Sequence, residues 1–180
     1  MKKIFLILGL IFFIVSLNCC VNPDPQIAPK TSKQFSTGNE LIGLDKWNFS
    51  NLTTMDYMFG SSSIGTNLDL SSWDVSNVVN MHKMFCGAIA FNQPLNNWDV
   101  SNVTNMTHMF FSAIAFNQPL NKWDVSNVMI LDEMFSNCKS FDQDISKWNT
   151  NNTYTAYNMF SYCPIQYKHT PKIKCENYSF

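Results

Sequence analysis

Five tryptophans, Trp47, Trp73, Trp98, Trp123 and Trp148, are the only ones in the 180-residue chain, and they lie 26, 25, 25 and 25 residues apart. Each carries the same neighbours. An asparagine follows four residues on (Asn51, Asn77, Asn102, Asn127, Asn152). A Met-Phe pair follows at eleven and twelve: Met58-Phe59, Met84-Phe85, Met109-Phe110, Met134-Phe135 and Met159-Phe160. A fixed period of this length marks a solenoid, in which each copy buries its apolar face only against the next. One copy is too small to make a core, so the copies must stack.

Within a copy two shorter periods follow one another. In "PLNNWDV", Leu95, Trp98 and Val100 make an L-x-x-W-x-V pattern that reads as a short strand entered by a proline. Met106, Met109, Phe110 and Ala113 then fall at i, i+3, i+4 and i+7, one face of a short helix, with Thr104 or Asn105 to cap its first turn. The fold expected is α/β: about five coils of 25 residues, a short parallel β-sheet on one side with strands about 4.8 Å apart, and short helices on the other. On this reading the tryptophans form a buried ladder and the methionines a core face.

The motif "FNQPLNNWDVSNVTNM" at 91–106 and its near copy "FNQPLNKWDVSNV" at 116–128 resemble the repeats of BspA-type bacterial surface proteins, relatives of the leucine-rich repeats. The likeness covers about residues 41–163 and is degraded in the first and last copies, as the ends of a solenoid require. The resemblance implies a right-handed leucine-rich-repeat-like solenoid, a place in the envelope or on the surface, and a role in adhesion or protein binding. It implies no catalysis.

The leader agrees with export. "MKKIFLILGLIFFIVSLNCC" has a Lys pair and an apolar run too short to span a bilayer comfortably. It ends in "LNCC", which resembles a lipobox and implies a diacylglyceryl group on Cys20, or on Cys19. A plain secretory signal or an uncleaved anchor would use the same run. The organisation expected is a signal peptide at 1–20, an extended tether at 21–38, the repeat solenoid at 39–163 and a C-terminal tail or cap at 164–180. The membrane is then a partner through the lipid anchor. Nucleic acid is not, because a net charge of −1 gives no attractive field.

Strand alternation turns Asp74, Asp99 and Asp124 outward, with Asn97, Ser101, Lys122 and Ser126 beside them. Stacking would make these a polar strip, the candidate binding surface. Aspartates in a row repel one another. Lys122, hydrogen bonds from Ser76, Ser101 and Ser126, or a bound cation would offset this; hydrogen-bonded aspartates closing turns are the preferred reading, and no metal site is expected. Cys138 and Cys163 stand three residues after the Met-Phe phenylalanine, a small inward position. A disulfide, Cys138–Cys163 or Cys163–Cys175, stays open against free thiols, while Cys86 is expected unpaired. His82, His108 and His169 share no repeat position, and no catalytic or cofactor motif occurs. The expectation is therefore a non-catalytic protein without cofactor that binds a protein or glycan at the cell surface. The alternative is a structural envelope protein associating with other repeat proteins, and an enzyme is the third reading.

Overall fold

The computed structural model describes residues 51–62 and 69–175. The segments read as a signal peptide, with Cys19 and Cys20, and as a tether lie outside these, as does Trp47. The copies do stack with a 25-residue pitch, and the core is the one expected. The α/β architecture is not. Among the described residues there is no α-helix and no continuous strand; the single helical element is the 3-10 turn Tyr167–His169. The coils share only one isolated parallel bridge each, Thr54 to Asn80 to Asn105 to Ile130 to Thr155.

Both corrections have a local cause. In the segment read as a strand, Trp98 N–H donates to Leu95 O at 3.0 Å and Val103 N–H to Val100 O at 2.9 Å, so two successive turns replace extended chain. Asn96-Asn97 and Ser101-Asn102 are residues that favour such turns. In the segment read as a helix, φ is positive ten and fourteen residues after every tryptophan: at Tyr57 and Ser61, Lys83 and Gly87, His108 and Ser112, Glu133 and Asn137, Asn158 and Tyr162. A left-handed residue cannot continue a right-handed helix.

What forms instead is a chain of overlapping turns that bonds along the stack. Met81, Lys83, Phe85 and Gly87 donate their N–H groups to Asn105, Thr107, Met109 and Phe111 of the next coil, at 2.7–2.9 Å. Between them Met84, Cys86 and Ala88 donate three residues back within their own coil. The same alternation recurs at the other described interfaces, for example His108 to Asp132, Phe110 to Met134 and Ser112 to Ser136. Backbone polar groups are thus satisfied without regular secondary structure.

Turns with this spacing still send every third or fourth side chain inward. Met106, Met109, Phe110 and Ala113 are fully buried. Phe59, Phe85, Phe110, Phe135 and Phe160 form one continuous stack with ring centroids 5.5–5.9 Å apart. Phe91, Phe116 and Phe141 form a second, at 5.8–5.9 Å, and the two stacks touch at 4.1–4.2 Å. Such offset aromatic contacts add about 0.5–1.5 kcal/mol each to area burial.

Candidate binding face

The outer face is built by ladders of side chains that do what a sheet's backbone would otherwise do. Three indole Nε1–H groups each cross one coil to a leucine carbonyl: Trp98 to Leu70 at 2.8 Å, Trp123 to Leu95 at 2.9 Å and Trp148 to Leu120 at 3.0 Å. The described tryptophans are 3–6% exposed, so among them the buried ladder stands. The repeated asparagine makes a second ladder. Asn102, Asn127 and Asn152 donate Nδ2–H to the carbonyls of Ser76, Ser101 and Ser126 at 2.7–2.8 Å.

Between these ladders lie the residues singled out by the sequence. Asp74, Asn97, Asp99, Lys122 and Asp124 are exposed, and Ser101 and Ser126 are half-buried. Each aspartate closes a turn. Asp74 Oδ1 accepts from Ser76 N–H at 3.1 Å and Oγ–H at 2.6 Å; Asp99 does the same with Ser101 at 3.1 and 2.6 Å. Asp124 Oδ1 accepts from Ser126 N–H at 3.0 Å. The serine hydroxyls and amides hold the Asp74 and Asp124 carboxyls below the usual carboxylate range. These hydrogen bonds are what offsets the row of like charges. Lys122 is not the counter-charge: its Nζ donates to Asn97 Oδ1 at 3.4 Å. No group of three His, Cys, Asp or Glu among the described residues could hold a metal ion.

The cysteines come together only in part. Cys138 and Cys163 occupy the same position of neighbouring coils, but Cys138 Sγ–H donates to Phe110 O at 2.8 Å and Cys163 Sγ–H to Phe141 O at 3.4 Å. Both are free thiols, as are Cys86 and Cys175. Burial raises the Cys138 thiol strongly and pushes Cys163 up to about 11.

Two groupings have no counterpart in the sequence reading. Asn92 Oδ1 accepts from Asn117 N–H, and Asn117 Oδ1 from Asp142 N–H, at 2.9 and 3.1 Å. Asp142 ends this ladder and takes Gln166 N–H, Gln166 Nε2–H and His169 Nδ1 at 2.8–2.9 Å. The Gln166 amide, then its side chain, then His169 hold the Asp142 carboxyl down at about 2. The signal was the recurrence of "FNQP", "FNQP" and "FDQD" at 91, 116 and 141. On the turn side His82 Nδ1 meets Asp56 Oδ1 at 2.8 Å and His108 Nε2 lies 3.6 Å from Glu133 Oε1. The two rings are 6.2 Å apart, so histidines that share no repeat position are neighbours in space.

A family model described as Mycoplasma protein of unknown function, DUF285, matches residues 30–122 and again 63–171. The chain belongs to this family. Its two overlapping matches span the whole stack of described coils. No curated protein and no solved structure matches the chain.

Proposed function

We propose that this chain is a surface-anchored, non-catalytic protein of BspA type, exported and held by lipid on Cys20 or Cys19. It works by displaying the polar face for protein or glycan binding in adhesion. The observation that carries the reading is the row Asp74, Asp99 and Asp124, exposed, repeated at coil spacing and fixed by serine bonds of 2.6–3.1 Å. All these bonds go to Oδ1, so each carboxylate is held in one orientation on an exposed residue. Such pre-ordered acceptors lose little side-chain freedom when a ligand arrives. Individual hydrogen bonds contribute about 0.5–1.5 kcal/mol net, so useful affinity needs several coils, or several molecules on one membrane.

The test replaces Asp74, Asp99 and Asp124 together by Ala and measures adhesion of protein-coated beads to extracellular-matrix proteins and glycans. Loss of adhesion with an unchanged far-UV spectrum supports the face. Adhesion equal to that of the parent protein would remove it as the binding surface.

A further inference from the structure

Charge is spread unevenly along the stack. The outer positions around Trp73 and Trp98 carry Asp69, Asp74 and Asp99 and no lysine. Around Trp123, Lys122 stands with Asp124; around Trp148, Lys147 stands with Asp144, while Asp142 is bonded to Gln166 and His169. The segment 164–175 then holds Lys168, Lys172 and Lys174 and no acid. This segment is docked on the last coils, with Ile145 N–H donating to His169 O at 3.0 Å and Thr150 Oγ–H to Lys172 O at 3.0 Å.

Two depressions follow this basic end. One, of about 460 Å³, is lined by Lys122, Lys147 and Asn121. The other, of about 360 Å³, is lined by Lys168, Lys172 and Tyr167. Lys147 lines the first and its chain neighbour Ser146 the second, so the two lie side by side. Among the described residues every ion pair within 4.0 Å involves a histidine, and none involves these lysines.

We propose that the two depressions together bind a polyanionic glycan, a chain of sulfated or uronic-acid sugars. Lys122 and Lys147 hold the same position in neighbouring coils and repel one another, and an anion between them relieves this. Four ammonium groups extended over two coils and the cap match anions repeated along a polymer better than one compact ion. Tyr167 is 81% exposed and offers an apolar ring face with a polar edge, suited to the C–H face of a sugar. Asn121 Oδ1 accepts from Asn96 at 2.9 Å, which leaves its amide N–H groups for hydroxyls. Asp144, in the first depression, excludes an anion from its own corner and confines the ligand to the lysine side. The proposal shares the display reading's mode, binding without turnover, but places this ligand on other residues.

The experiment titrates the full chain in detergent with heparin, with neutral dextran of equal length and with polyglutamate, at rising salt. Heparin is expected to bind with an affinity that falls steeply with salt, while dextran does not bind. A Lys147→Ala/Lys168→Ala/Lys172→Ala variant should lose tenfold or more at an unchanged urea midpoint, and Tyr167→Ala several-fold. Asp74→Ala/Asp99→Ala/Asp124→Ala should keep its heparin affinity, so failure of the aspartate face in adhesion and failure of this site are told apart. Heparin bound no better than dextran, or undiminished by the lysine variant, overturns the proposal. Polyglutamate bound as tightly as heparin overturns it in favour of an acidic peptide.

Discussion

Removing one indole from the ladder tests how the outer face is held. Trp98 is 3% exposed, its Nε1–H bonds Leu70 O at 2.8 Å, and its ring lies 6.3 Å from that of Phe85. Truncating a buried tryptophan to alanine costs about 3–5 kcal/mol through lost burial and the cavity left behind. Phenylalanine separates the two contributions. Leu70 O also accepts from Trp73 N–H at 3.1 Å, so losing the indole bond does not strand the carbonyl. The bond itself is then worth about 0.5–1.5 kcal/mol, and with the smaller ring Trp98→Phe should cost about 1–3 kcal/mol. Urea titration followed by far-UV circular dichroism, at constant slope, reads both. An unchanged midpoint for Trp98→Ala would refute burial. Equal costs for Ala and Phe would refute the separate contribution of the ring.

Other consequences are as direct. Lys83 has φ 56°, a region that costs a lysine about 1–2 kcal/mol and an asparagine less, so Lys83→Asn should stabilise the fold by about 0.5–1 kcal/mol, read as a higher urea midpoint at constant slope. Burial holds His108 below the ordinary histidine value of 6.5, so the unfolded chain takes up a proton that the folded chain resists. Stability should fall as pH drops through 6.5, and His108→Gln should flatten that limb of a pH–stability curve. Asp142 works at lower pH: its carboxyl is at about 2 against 3.8 unfolded, so its contribution is complete above 3.8 and lost as pH falls toward 2. Asp142→Asn, the residue of the two preceding coils, should remove that acid dependence. Cys138 and Cys163, with raised thiols, should resist maleimide at pH 7 in the native protein and react fully in urea, with both masses those of free thiols.

The period, the inward residues and the polar strip were all legible in the sequence, because burial alone fixes which side chains recur. Local conformation was not. Residues at i, i+3, i+4 and i+7 face one way in a helix, but the turns of residues 106–113 give the same result. Leu95, Trp98 and Val100 are likewise buried on either side of tight turns as they would be on a strand. Left-handed φ is announced in a sequence by Gly or Asn, and only Gly87, Asn137 and Asn158 say so here; Lys83, His108 and Glu133 carry no such sign. The Asp142, Gln166 and His169 cluster was hidden because the C-terminal segment meets the ladder 24 residues on for Gln166 and 27 for His169, out of step with the repeat.

The central claim is that in-register stacking, and not regular secondary structure, makes this fold. Deleting residues 102–126 removes one whole period and joins Ser101 to Asn127. Asn127 can then donate to Ser76 O in place of Asn102, and Trp148 to Leu95 O in place of Trp123. The account predicts a folded four-coil protein with the parent's far-UV spectrum per residue and a cooperative urea transition, while deletion of 102–121, out of register, leaves no such transition. Equal behaviour of the two deletions, both folded or both unfolded, would contradict it.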